Sequence, residues 1–314
     1  MKICVQTGGL IGTYSPAEAY RLIRDAGFEG VDWNIDHAWS NAMVRKDPST
    51  TPGTCIFEKP LPDVLKYYRE ELDAIRANGL TVSQAHAPFP AFVPGFPDFL
   101  EYAIGIYVRC IELCRAVDCP NLVVHGISWP FGEPDLSREE VYRLNLHLYR
   151  GLMPALKEGG VTVCLENLFT RRAKTFEQGH CAVPEEAAAL IDRLNEEAGK
   201  ECFGLLLDTG HLNILRSSFR RYVPVLGKRL KALHIHDNDA SEDQHLAPYC
   251  GGNICWPEFC DVLRACGYTG DLCFETFRQI TPAHLYGFQE MVPVSLSYIA
   301  RTGQVFRARI QGMS

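Results

Sequence analysis

The sequence predicts an α/β protein, a (β/α)8 TIM barrel forming a single domain over residues 1–314. Three observations predict it. Short apolar, β-branched runs alternate with amphipathic stretches of helical length. Eight such pairs fill the 314 residues, which is the repeat count of this barrel. The stretch after the first run, "QTGGLIG", lacks the G-x-G-x-x-G spacing and starts no helix, which argues against a doubly wound open sheet.

The strands are expected at 2–6 "KICVQ", 30–34 "GVDWN", 81–86 "TVSQAH", 121–125 "NLVVH", 161–166 "VTVCLE", 203–208 "FGLLLD", 230–236 "LKALHIH" and 271–275 "DLCFE". Between them lie helical patterns at 16–26, 62–78, 98–117, 137–158, 184–199, 217–226, 256–266 and 283–302. Punctuation agrees: "SPAE", "LPDV" and "VPEE" are helix starts, and "NGL", "GGV" and "CGYTG" place glycine where helices stop. Two connections after strands are long, 36–61 and 167–183, and are expected to act as lids or subunit contacts. The closing "VFRARIQGMS" is expected to be a terminal strand or tail.

Composition narrows the function. The chain is 46% hydrophobic and 22% charged, ordinary for a globular protein with a real core. A formal charge of −7 argues against a protein that coats nucleic acid. No stretch approaches the roughly 18 apolar residues of a membrane span, and the start does not look like a signal peptide. The thirteen cysteines form no C-x-x-C pair and sit mostly in apolar runs, as reduced thiols of a cytoplasmic protein would.

Catalytic groups of such a barrel come from the C-terminal ends of its strands. Here six successive strands end in His86, His125, Glu166, Asp208, His236 and Glu275. One such residue could be a satisfied polar group; six are not what a structural barrel needs. The mixed carboxylate and imidazole set suits a divalent ion such as Mn2+, Mg2+ or Co2+, with Zn2+ also compatible. His211 follows Asp208 in "DTGH", to coordinate or to bind a substrate oxygen. His234 faces the same way as His236 but deeper, as a packed, hydrogen-bonded histidine. Asp243 and His245, in "DQH", offer two more ligands over the same mouth.

The ordered series "HAPFP" (86–90), "VVHG" (123–126), "LEN" (165–167), "LDTGH" (207–211), "HIHDND" (234–239), "DQHLAP" (243–248) and "GYTGDLCFET" (267–276) resembles the xylose-isomerase-like TIM barrels. "AYRLIRDAGFEGVDW" (19–33) resembles the sugar phosphate isomerase/epimerase branch. The resemblance implies Glu166, Asp208, His236 and Glu275 as four metal ligands, Mn2+ foremost, with Glu166 and Glu275 also the catalytic acid/base pair and His211 binding substrate. It implies a sugar isomerase or epimerase that works by proton abstraction beside a metal-polarised carbonyl, through an enediolate. The epimerases carry an arginine shortly after the metal histidine; "DNDASED" has none, so their ketohexose specificity does not carry over. His86, His125, Asp243 and His245 match the additional ligands of the zinc cluster of endonuclease IV, making an abasic-site endonuclease the rival; a keto-polyol dehydratase on the same scaffold is a third reading.

Smaller signals concern the pocket. His86 and His125 are expected to bind substrate in the sugar enzyme. Trp33 and Trp129 are the candidate pocket walls, and Arg171, with Arg172 and Lys174, could hold a phosphate or sugar acid. The expected partner is a small carbohydrate, without nucleic acid or membrane. A homo-oligomer is compatible with the sequence.

Overall fold

The structure, a computed structural model, describes residues 1–35, 52–128, 136–172, 174–281 and 287–313. Among the described residues ten strands occur: β1 (Ile3–Gln6), β2 (Gly30–Asn34), β3 (Thr81–His86), β4 (Asn121–Val124), β5 (Thr162–Glu166), β6 (Phe169–Arg172), β7 (Thr175–Gln178), β8 (Phe203–Asp208), β9 (Leu230–His234) and β10 (Leu272–Phe274). Eight of them form one sheet in the order β10-β1-β2-β3-β4-β5-β8-β9. Ile235, one residue beyond β9, bridges in parallel to Phe274 of β10. Its N–H donates to the Cys273 carbonyl at 2.8 Å, and the Glu275 N–H donates to the Ile235 carbonyl at 3.1 Å, so the two end strands meet. This is the expected (β/α)8 barrel.

The chain clusters into two compact units, one of Met1–Trp33, Arg69–Gln84 and Leu206–Ser314, the other of Asn34–Tyr68 and Ala85–Leu205. In the first, Phe306 lies 3% exposed against Trp256, at 5.3 Å between ring centroids, and also meets Phe259 and Phe274. In the second, the helices Asp98–Ala116 and Arg138–Leu156 approach so closely that a Cβ at Gly151 would stand 2.7 Å from Ile104 Cγ2. Ser137 and Glu140 form a reciprocal cap at the start of the second helix.

Three local expectations change. The stretch 62–78 is two helices, Leu61–Tyr67 and Arg69–Ala77, broken at Tyr68, which leaves the helical region with ψ 7°. The connection 167–183 contains an antiparallel hairpin, β6 with β7, whose Phe169 and Phe176 rings meet edge to face. The closing "VFRARI" is no strand: it completes the helix Met291–Ile310, because Ile299, Phe306 and Ile310 recur at helical spacing and are buried. Residues 36–51 of the first long connection lie outside the described residues.

The Phe306 contact predicts a large stability effect. Phe306→Ala should lower the unfolding free energy by about 3–5 kcal/mol, read from denaturant unfolding. A loss below about 1 kcal/mol would show that the terminal helix does not anchor this core.

Candidate active site

In the first unit the site begins at Asp208, the last residue of β8 and the N-cap of the short helix Thr209–Ile214. Its Oδ1 accepts the His211 N–H at 2.7 Å, and its Oδ2 lies 2.9 Å from His236 Nε2. His236 is held by Thr209, whose hydroxyl accepts the His236 N–H at 3.0 Å and donates to the His236 carbonyl at 2.7 Å. Its ring lies so close to Gly210 that any Cβ there would collide with it. A glycine in "DTGH" is therefore a packing requirement of the histidine.

The loop beyond β9 brings Asp243 and His245 to the same place. His245 Nε2 is 3.0 Å from Asp243 Oδ2, and His245 Nδ1 is 3.3 Å from Glu275 Oε2. The His236 and His245 rings stack at 4.0 Å with 11° between planes, and the Phe277 ring lies 4.3 Å from that of His245. His211 Nε2 is 3.4 Å from Asp243 Oδ2. Burial alone would raise the Glu275 carboxyl, but His234, His245 and His236 outweigh it and hold it well below the usual carboxylate range. Burial opposes charge on His245 too, yet Glu275 and Asp243 lift it to about 10.

The second unit holds its own cluster. The His86 Nδ1–H donates to the Ala87 carbonyl at 2.8 Å, which turns Nε2 toward the cluster. That Nε2 is 3.1 Å from His125 Nε2, which in turn is 2.9 Å from Glu166 Oε2. Phe89 stands against both rings, 5.4 Å from His86 and 4.5 Å from His125.

His180 lies nearby on the same unit, and its Nε2 shares a hydrogen bond with the Tyr149 hydroxyl at 3.0 Å. Burial, with the charge of His125 added, pushes His180 down to about 3. The unfolded chain then binds more protons there, so this group's contribution is intact above about pH 6.5 and is lost as pH falls from there toward 3. His180→Gln should therefore flatten the fall in melting temperature between pH 6.5 and 4. An unchanged slope would mean the imidazole is not held neutral.

The donor set fits a divalent ion. Two ligands at right angles on 2.0–2.2 Å bonds stand about 3 Å apart, and Asp208 Oδ2 and His236 Nε2 are 2.9 Å apart. Asp243 Oδ1 is buried with no hydrogen-bond partner among the described residues. Asp208, His211 and His236 form one set whose ligand atoms lie within 4.8 Å of one another; His236, Asp243 and His245 form a second, and His86, His125 and Glu166 a third.

Other candidates fall differently. Trp33 is fully buried and its Nε1–H donates to Glu71 Oε2 at 3.0 Å. Strand alternation turns it away from Asp32, and it packs toward the helix Arg69–Ala77. Arg171 is exposed on the hairpin, its guanidinium 5.8 Å from the centre of the Phe176 ring. Trp129 lies outside the described residues. The sequence reading missed Asp32, Gln84 and Phe277. The first two could have been found as polar residues at strand positions where a barrel interior wants apolar ones.

With fold and site in hand, the chain belongs to the xylose isomerase-like TIM barrel family, whose model matches residues 20–290. It is 26% identical over 266 residues to the uncharacterized protein y4fM of Sinorhizobium fredii, covering 81% of this chain and 79% of that one. Among solved structures it is similar to the 3-keto-D-glucoside 4-epimerase YcjR of E. coli, with TM-score 0.67, 19% identity and 96% and 99% of the two chains covered. It is similar as well to a D-psicose 3-epimerase from Clostridium cellulolyticum H10, with TM-score 0.67, 16% identity and 98% and 99% covered. At these identities the likeness shows the fold. Among the described residues, no helix is long and apolar enough to cross a membrane.

Proposed function

We propose that the protein is a divalent-metal-dependent sugar isomerase or epimerase acting on a keto sugar or its phosphate. The observation that carries this reading is the buried Asp208–His236 pair at ligand spacing, with Glu275 at the next strand end among three histidines. Glu166, Asp208, His236 and Glu275 are the proposed ligands, Mn2+ the first candidate ion. When bound, such an ion supplies Lewis-acid polarisation of the substrate carbonyl. One of the two glutamates takes the proton from the carbon next to that carbonyl, and the other returns a proton to the opposite face. A carboxylate held well below its usual range, as Glu275 is, stays charged at neutral pH. His211 is proposed to hold a substrate oxygen.

Two similar structures carry epimerase names, on 3-keto-D-glucosides and on D-psicose, which supports keto sugars as the substrate class. The test is deuterium uptake from D2O at the carbon beside the carbonyl, over a panel of ketohexoses, their phosphates and 3-keto-glucosides, with Mn2+, Mg2+ or Co2+ present. Exchange is expected with at least one sugar; none across the panel would reject the reading.

One observation favours a second reading. His86, His125 and Glu166 converge as a further potential ligand set, as in a zinc-cluster abasic-site endonuclease. The −7 net charge weighs against a nucleic-acid substrate.

A further inference from the structure

We infer that Asp32, acting through His234, positions the Glu275 carboxylate. What Glu275 does rests on the proposed function; where it is held rests on geometry. Asp32 sits within β2 and is 1% exposed. Its Oδ2 accepts two hydrogen bonds at 2.9 Å, one from His234 Nε2–H and one from the Gln84 amide. The same amide also reaches the Leu233 carbonyl at 3.3 Å, so it ties Asp32 to the strand that carries His234. The other nitrogen of His234, Nδ1, lies 3.5 Å from Glu275 Oε2 and 3.9 Å from Asp208 Oδ2.

The ring is thus gripped at one end by a carboxylate and lies at the other beside two carboxylates of the proposed reaction site. Gln84, His234 and Asp32 are each 1% exposed. Barrel interiors are usually filled with branched apolar side chains, and burying a carboxylate, an amide and an imidazole instead carries a desolvation cost. Apolar residues would fill that layer at less cost, so packing alone gives no reason for the trio. Fixing the imidazole does give one. With Nε2 bound to Asp32 the ring cannot turn about its last torsion, and Nδ1 stays beside Glu275 Oε2. Outer partners of this kind orient the groups that act on a substrate or hold an ion. Asp32 and His234 are positioning residues here; neither needs to touch the substrate.

The test compares wild type with Asp32→Asn, which keeps the shape but weakens the grip on the ring. Three quantities are read: Co2+ affinity from its visible absorption, melting temperature without metal, and kcat and KM on an exchanging sugar. Expected are a Co2+ affinity about 10- to 100-fold weaker, a kcat lower by a similar factor and a KM within about twofold. Equal Co2+ affinity and kcat in a folded D32N chain would overturn the inference while leaving the proposed function standing. So would a raised KM at unchanged kcat. A wild-type chain that takes up no Co2+ overturns the proposed function and this inference with it. Should D32N fail to fold, Gln84→Met leaves the Asp32–His234 bond in place, removes the amide's bonds to Asp32 and to the Leu233 carbonyl, and carries the same comparison, with an expected loss of about tenfold; no loss overturns the positioning role.

Discussion

Glu275→Gln is expected to lower kcat by about 10²- to 10⁴-fold while the barrel stays folded. Glutamine keeps the size and one acceptor oxygen but cannot take a proton, so the change isolates proton transfer from packing. Glu275 follows β10, and its backbone N–H is already committed to the Ile235 carbonyl at 3.1 Å, which fixes the start of its side chain independently of the carboxylate. Substitution also removes the charge that His245 and His234 face at 3.3 and 3.5 Å. Some loss of stability should accompany the loss of turnover. Glu166→Gln is expected to behave alike, since epimerisation needs one group to take the proton and another to return it. Steady-state kinetics beside thermal unfolding checks both variants. Near-normal turnover in either would refute its acid/base role.

The second large effect is on stability. Asp208, His236, Glu275, Asp243 and His245 bring three carboxylates and two imidazoles together in one unit, with little water to screen them. An ion that binds this folded cluster and not the unfolded chain stabilises by mass action, about 2.7 kcal/mol at a hundred times its Kd. For a chain of this size that is about 5 °C in melting temperature. Mn2+ should therefore raise the melting temperature, and a chelator should reverse the gain. Asp208→Asn should abolish the response, because asparagine still caps the helix Thr209–Ile214 but weakens the ligand. A melting temperature indifferent to Mn2+, Mg2+, Co2+ and Zn2+ alike would refute an ion at this cluster.

Much of the fold was legible because strands buried on both faces write themselves as continuous apolar runs. "FGLLLD" and "TVCLE" each became a strand ending on its acid. The candidate acids and histidines were legible for the same reason, since an ionisable residue at the end of such a run stands out. What could not be read was contact across strands. Asp32 and Gln84 stand out as polar residues in their strands, but only the barrel brings them to His234. The direction of Trp33 was not legible either, because its neighbour decides it: once Asp32 turns inward, the next side chain must turn out. The terminal helix was missed where "VFRARI" alternates apolar and charged residues over a few positions, which a strand and a helix share until Ile299 and Phe306 are seen on one face.

The most direct measurement is the metal content per chain, by elemental analysis of protein purified without added metal and again after reconstitution with Mn2+. One divalent ion per chain in wild type, and none in Asp208→Asn, is the expected result. Two or three zinc ions per chain would contradict the sugar-isomerase reading, make His86, His125, Asp243 and His245 ligands, and turn the search to DNA carrying an abasic site.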